Sequence, residues 1–279
     1  MKASNPLVSF VIPCFNDFQY VEQSVNSALH QTYRNIEVIV VDDGSNAKTK
    51  AVLKTIEPKI TRLITQENKG QSTARNVGIE NAKGDYIIVL DSDDYFEPTF
   101  CKKAIEIIIN NTEVKLVTCF AKIFVNGKVR EVYKPKGGYV KDFLITNSAL
   151  GCAMFRKEDW LSCGGYDESM RRGFEDWEFN INLLKKGGFA KVIDEALFFY
   201  RKRENTTTER ANKVKYKLLK YIYSKHNDVL KNYTGLVING LILKISIEEE
   251  SKIKQQKKIE FRIGKTILKP FRFFKSFFN

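Results

Sequence analysis

Four short apolar runs set the terms on which this chain folds: Val8–Ile12, Ile36–Val41, Ile60–Thr65 and Tyr86–Leu90. All are short, and the first two are near-continuous apolar runs, which suits buried strands. Between them the apolar residues change period. Val21, Val25, Ala28 and Leu29 recur at helical spacing, as on an amphipathic helix. A helical stretch follows the second run, and NKGQSTARNVG opens another near Gln71. Strands alternating with helices predict a mostly parallel sheet with helices on both faces. In such sheets ligands bind outside the carboxyl ends of the strands.

That rule gathers the polar loops. FND follows the first run, DDGS the second, QENKG the third and DSDD the fourth. Asn, Asp, Gly and Ser make turns in any protein, but four such loops on one edge predict one crevice. The last loop sets Asp91, Asp93 and Asp94 at a single strand end. Carboxylates so close repel one another unless a Lys or Arg, a helix N-terminus or a metal ion offsets them. An Asp-x-Asp pair offers the hard oxygens that Mg2+ or Mn2+ accepts while keeping sites for water and phosphate. Asp42-Asp43 at another strand end and Arg75 on the intervening helix strengthen that signal. Neither a Gly-x-x-x-x-Gly-Lys-Ser/Thr string nor a Gly-x-Gly-x-x-Gly string after the first strand is present, which argues against P-loop and dinucleotide sites.

Beyond the acidic loop the pattern changes. Val114–Val125 and Lys128–Tyr133 flank Asn126-Gly127, a hairpin signal, and Leu150–Phe155 is a third run able to pair nearby. This part reads as an antiparallel add-on to the parallel half. GGYDE (Gly164–Glu168) is a turn, and FEDWEFNINLLKKGG reads as a helix with acids in its first turn, lysines in its last and glycines beyond.

Taken in order, VSFVIPCFND, IEVIVVDDGS, ENKGQSTARNVGIENAKGDYIIVLDSDD, GGYDE and FEDWEF resemble the family 2 glycosyltransferases with the GT-A fold. The match covers roughly residues 8–203. It implies an inverting, metal-dependent, hexosyltransferase-type enzyme that moves a sugar from a nucleotide-sugar donor, usually a UDP-sugar, to an acceptor hydroxyl. By this resemblance Asp93 binds the divalent metal, Mn2+ or Mg2+, with Asp91 near the ribose and supporting the metal site. Asp43 meets the uracil ring with Arg75 alongside, and Pro13, Phe15, Asn16 and Ser92 line the same pocket. Asp176 takes the proton from the attacking hydroxyl, with Glu175 beside it, although acids in a first helical turn also simply suit the dipole. Family members often carry Tyr-Arg-x-His after the last strand, whereas this chain has Arg203 at the His position. Arg203 cannot ligate a metal but can clamp phosphate oxygens; a solvated basic turn is the alternative. Asp94 is expected to be a solvated or capping acid. His30 reads as structural and His226 lies in the basic tail.

Composition matters chiefly in the tail. The net charge is +13, and residues 206–279 hold 17 Lys and Arg against 6 Asp and Glu, leaving 29 against 27 of the chain's 46 and 33 for residues 1–205. A boundary is therefore expected between a GT-A domain at 1–205 and a basic helical C-terminal extension at 206–279. On a helical projection of the last residues Ile267, Phe271, Phe274 and Phe278 share a face, with Lys265, Lys269 and Arg272 roughly opposite. Such a segment, 265–279, suits an anionic membrane surface, with packing on the catalytic domain as the alternative.

No signal peptide is apparent at the start, because apolar residues begin at Leu7 and feed straight into a strand. The stretch Leu236–Ile247 is too short to cross a bilayer. Cys14, Cys101, Cys119, Cys152 and Cys163 lack metal-ligand spacing and fit free thiols in a reducing cytoplasm. The resemblance and the tail together imply a cytoplasmic enzyme on the inner face of the cell membrane, acting on a lipid-linked or free glycan in bacterial surface-polysaccharide synthesis. Two rival readings are a basic nucleic-acid binder and a sugar nucleotidyltransferase. The first lacks oligonucleotide-binding motifs and its charge avoids the crevice, so no nucleic acid is expected. The second lacks a Gly-rich loop in PCFNDFQY.

Overall fold

The computed structural model describes residues 5–125, 127–203, 206–257, 263–264 and 266–268. In chain order the elements are β1 (Val8–Cys14), α1 (Val21–Leu29), β2 (Ile36–Asp43), α2 (Ala47–Ile56), β3 (Arg62–Gln66), α3 (Gln71–Glu80), β4 (Tyr86–Val89), β5 (Tyr95–Phe96) and α4 (Phe100–Asn110). The hairpin β6 (Val114–Val125) and β7 (Lys128–Tyr133) comes next. It is followed by α5 (Val140–Phe143), β8 (Met154–Arg156), α6 (Lys157–Cys163), α7 (Glu175–Leu184) and β9 (Phe189–Arg201). Then come α8 (Thr207–Lys213), α9 (Lys215–Lys225), α10 (Asn227–Asn232) and α11 (Thr234–Lys257).

Among the described residues the nine strands form one sheet in the order β3-β2-β1-β4-β8-β6-β9-β5, with β7 paired to β6 off this path. The half from β3 to β4 is parallel. Strand β8 runs antiparallel between β4 and β6, so the expected add-on is continuous with the parallel half. Side-chain alternation along β1 feeds two cores. Val8, Phe10, Ile12 and Cys14 join Val21 and Val25 of α1, Leu53 of α2 and Phe100 of α4 in one apolar cluster. On the other face Val11 meets α3, where a Cβ added at Gly78 would lie 2.4 Å from Val11 Cγ1. Helices thus cover both faces, as the alternation of runs predicts.

Pro13 does not stop β1, which continues to Cys14 and pairs Pro13 with Val41. The reason lies in the ladder to β4. Val11 accepts from Leu90 on that side, and Pro13, two residues on, faces the same way beyond the last paired residue, Val11 opposite Val89. Its missing N–H therefore costs no sheet hydrogen bond.

By internal contacts the chain divides into Met1–Val229 and Leu230–Asn279, whereas charge alone suggests a break at 206. Helices α8 and α9 belong to the first unit because polar and steric contacts tie them to it. Gly173 lies so near Ala211 of α8 that an added Cβ would approach to 2.7 Å, and Tyr221 and Lys225 of α9 reach Asp167 at 2.8 and 2.6 Å. In the second unit α11 carries exposed Leu236, Ile238, Ile242, Leu243, Ile245 and Ile247. Among the described residues no helix is long and apolar enough to cross a membrane. Of the aromatic face expected at 265–279, Ile267 is described and exposed; Lys265, Lys269, Phe271, Arg272, Phe274 and Phe278 lie outside the described residues.

Candidate active site

The loop closing β4 is where the acids gather, and three arginines answer them. Asp91 accepts through one oxygen, Oδ1, from Gln71 Nε2 and from Arg75 Nη2, both at 2.8 Å. Asp93 receives Arg203 Nη2 at 2.5 Å. Arg203 also holds Asp17 at 2.8 Å, and Ser92 donates to the other oxygen of Asp17 at 2.6 Å. Asp94, expected as a solvated or capping acid, is buried and takes the backbone N–H of Arg201 at 2.7 Å. Asp94 therefore ties the end of β9 to the acidic loop. Arg201 stacks over Tyr20 and Phe124 and reaches the Asp93 carbonyl through Nε. Even so, burial first and the Asp91 charge second push the Asp93 carboxyl up to about 6, against the pull of Arg203.

Such a set of donors fits a hard divalent cation. Asp93 holds a proton more readily than usual because it is buried and because Asp91 repels its charge, and a cation relieves that repulsion. One group of three possible ligand atoms lies within 4.8 Å among the described residues: Asp91, Asp94 and Cys152. Burial holds the Cys152 thiol well above its ordinary range, and sulfur is a poor partner for Mg2+. Asp91 and Asp94 are the fitting part of that group, and Asp93, paired with Arg203, stands outside it.

Arg75, anticipated beside the nucleotide base, is engaged by two carboxylates. Its side chain is 2% exposed; Nη1 reaches Glu175 and Nη2 reaches Asp91, each at 2.8 Å, and the guanidinium sits 5.2 Å from the Tyr166 ring centroid. Both terminal nitrogens are thus committed to carboxylates. Glu175, anticipated beside the base, is buried and is the partner of Arg75.

Asp176 follows at the start of α7, which begins abruptly after Phe174 with φ 65°. GGYDE holds this region to α3: Asn76 Nδ2 donates to the Tyr166 carbonyl and to Glu168, each at 2.9 Å, and Thr73 donates to the other Glu168 oxygen at 2.9 Å. Asp176 is half-buried, and Asn147 Nδ2 donates to its Oδ2 at 2.8 Å. Burial first, then the neighbouring Glu175 charge, raise its carboxyl to about 7, while Arg75 pulls it down. A carboxylate with that proton affinity is suited to general-base work near neutral pH.

The loops after β1 and β2 form the other wall. Asp43 is buried and accepts from Gln66 Nε2 (2.7 Å), Lys69 N (2.8 Å) and Gly70 N (2.9 Å), so it shapes the turn into α3 and has little capacity left. Asn16 takes a φ of 61°; its N–H donates to Ser45 and its Oδ1 accepts from Asn46 N. Pro13 is buried in β1 and Phe15 is 49% exposed at the mouth of the loop. Sequence reasoning missed Asp17, Gln71, Asn147 and Arg201. Asp17 lies in the FND loop and Arg201 in the run with Arg203, so position offered a signal for both; nothing local marks Asn147.

These observations define an α/β protein with a mixed, partly parallel sheet and an acidic, arginine-braced loop at the end of β4. The family model for glycosyl transferase family 2 matches residues 9–160, and the chain belongs to that family. A Haemophilus influenzae protein described as an uncharacterized glycosyltransferase is 30% identical over 216 residues, 74% of this chain and 73% of that protein. The chain spans only 55% of several other curated relatives. A putative teichuronic acid biosynthesis glycosyltransferase, TuaG of Bacillus subtilis, is 29% identical, covering 72% of this chain and 81% of its own. Among solved structures, S. aureus TarS 1–349 in complex with UDP-GlcNAc aligns with a TM-score of 0.70 at 20% identity, covering 91% of this chain and 77% of that one. A mannosyltransferase from Pyrobaculum calidifontis, in complex with GDP-Man and Mn2+, aligns at 0.60 and 15% identity over 95% and 84% of the two chains. Both carry the GT-A-like fold seen here.

Proposed function

We propose that this glycosyltransferase moves a sugar from a UDP-sugar to an acceptor hydroxyl with inversion, with Asp176 as the base and Asp91 and Asp93 as the acids that hold a divalent metal. The observation that carries the reading is Asp176 itself: a half-buried carboxylate at a helix start, raised to about 7 and held through one oxygen by Asn147. The acceptor hydroxyl gives its proton to Asp176 as its oxygen bonds to the anomeric carbon. The bond from that carbon to the diphosphate breaks on the opposite side, which inverts the centre. When bound, the metal supplies positive charge that stabilises the departing diphosphate. Arg203, one-third exposed and already braced against Asp17 and Asp93, is placed to grip a phosphate oxygen. Phe15 offers an exposed ring to the base or ribose, and the Asp43 turn shapes the wall behind it.

The test is UDP release from a panel of UDP-sugars, with and without Mn2+. Asp176→Asn should bind UDP normally and lose turnover by about 10²- to 10⁴-fold, the span of general-base effects; unchanged turnover would remove the base role. Asp93→Ala should abolish the Mn2+ dependence of UDP binding measured by calorimetry, and an unaltered dependence would refute that ligand.

For the acceptor, the TuaG relative favours a cell-surface polysaccharide. The basic tail with its exposed apolar α11 supports a peripheral site on an anionic membrane. Sedimentation with anionic liposomes or with RNA across a salt series separates this from nucleic-acid binding. Salt-resistant retention on RNA alone would count against it.

A further inference from the structure

We propose that Asn147 is a positioning residue for Asp176: its side-chain amide, anchored by Asn180, fixes one carboxylate oxygen and leaves the other for the acceptor hydroxyl. The inference rests on the reading of Asp176 as base.

Asp176 and Asn180 are four residues apart on α7 and so share a face of that helix. Asn147, on the loop between α5 and β8, bridges them. Its Oδ1 accepts from Asn180 Nδ2 at 3.0 Å and its Nδ2 donates to Asp176 Oδ2 at 2.8 Å. The acceptor-only Asp176 carboxylate fixes the orientation of the Asn147 amide, and Asn180 anchors its oxygen. With the oxygen turned to the Asn180 donor, the NH2 must face the carboxylate; the flipped amide would set two donors together and an oxygen against a negative charge.

The loop bearing Asn147 is itself held at several points. Gly137 N donates to the Ser148 carbonyl at 2.8 Å, Ser148 Oγ to the Asp142 carbonyl at 2.7 Å and Trp177 Nε1 of α7 to the Phe143 carbonyl at 2.5 Å. Gly151 closes the same side, since an added Cβ there would lie 3.2 Å from Asp176 Oδ2. Oxygen Oδ2 is therefore enclosed by the loop. Oxygen Oδ1 takes no side-chain hydrogen bond among the described residues.

A neutral donor on Oδ2 stabilises the charged form of the base without cancelling its charge. The charged and titratable groups that face Asp176 are Glu175 on its own helix, Arg75 from α3, Asp91 from the β4 loop, Tyr133 from β7 and Tyr166 from GGYDE. Burial, Glu175 and Asp91 favour protonation, whereas Arg75 and the backbone N–H of Trp177 oppose it. Loss of the Asn147 bond tips that balance toward the protonated, inactive form.

The experiment follows the pH profile of UDP release from UDP-GlcNAc and UDP-glucose by the full chain, using whichever is turned over. Asn147→Ala should move the acid limb of kcat up by about one pH unit and so lower kcat about fivefold at pH 7 and about tenfold well below it, as expected for a lost bond to a charged group. The donor KM should stay within about twofold, because the donor's own contacts are untouched. Asn147→Gln should recover part of the loss, and Asn180→Ala should shift the limb the same way by less. If Asn147→Ala does not fold, the Asn180 variant carries the test. An acid limb that stays put in the folded variants overturns the positioning role. Retained turnover in Asp176→Asn overturns the base reading instead, so the two failures are distinct.

Discussion

Arg75 donates to Glu175 at 2.8 Å across 100 residues of sequence, while its other terminal nitrogen donates to Asp91. One buried guanidinium therefore ties the first turn of α7 to the end of β4. These are the two places where the proposed base and the proposed metal ligands stand, and their spacing is fixed by one side chain.

Removing that side chain should be costly in stability before it is costly in chemistry. Arg75→Ala leaves Asp91 and Glu175 facing each other without a cation, and breaking a buried pair of this kind costs about 3–5 kcal/mol. Arg75→Lys keeps the charge but not the fork, so it should recover only part. Urea midpoints of the three proteins measure this. Equal midpoints for wild type and Arg75→Ala would show that the guanidinium is dispensable to the fold.

The raised carboxyl of Asp176 has two consequences of opposite sign. As a base it works only when ionised, so kcat should fall about tenfold per pH unit below about 7 and level off above it. Its folded value lies above the ordinary carboxylate value near 4, so the folded state binds the extra proton between those limits. Stability at this site is therefore lost as pH rises from about 4 to about 7. Asp176→Asn should melt higher than wild type at pH 8 and at nearly the same temperature at pH 4. A substitution that abolishes turnover while raising Tm marks strain kept for function; a lower Tm at pH 8 would contradict the electrostatic account.

Gly78 faces a different demand. It lies where α3 crosses β1 and β2, and an added methyl would lie 2.4 Å from Val11 and 3.1 Å from Val41. Both neighbours are buried strand residues with no room to withdraw. Gly78→Ala should therefore destabilise by about 1–3 kcal/mol, even though alanine is the better helix former. Thermal melts of the two proteins decide the sign, and a stabilised variant would mean that α3 can ride outward.

Much of this was legible from the residues because it rests on local pattern. The apolar runs at 8–12, 36–41 and 86–90 each lie largely within a strand, the hairpin at Asn126-Gly127 has its two arms paired, and FEDWEF starts a helix at Glu175. Boundaries shifted where the ladder decided them, as at Pro13 and at β3, which begins at Arg62 rather than Ile60. The site was harder to read. Which acids would gather was visible from strand ends; which side chains would face them was not. Arg75, Asn147 and Arg201 act across separations of 16–108 residues, and no local spacing encodes such pairs. Charge counting likewise put the break at 206, because it cannot register that Tyr221 and Lys225 dock on Asp167.

That docking should be sensitive to acid. Asp167 accepts from Lys225 Nζ at 2.6 Å, Tyr221 Oη at 2.8 Å, Ser169 Oγ at 2.6 Å and Ser169 N at 2.9 Å. Burial alone would raise its proton affinity, but the bonds from Lys225, Ser169 and Tyr221 outweigh it and hold the carboxyl well below the usual range. A depressed carboxyl contributes stability above its unfolded value near 4 and loses it as pH falls toward the folded value. Asp167→Asn is the variant to use, since Lys225 also reaches Glu178 at 2.8 Å and changing it would disturb two pairs. Wild type should melt above the variant at pH 7, with the gap narrowing steadily below about pH 5 as Asp167 takes up its proton. A gap of constant size from pH 7 to pH 2 would mean that the carboxylate charge does not hold α9 in place.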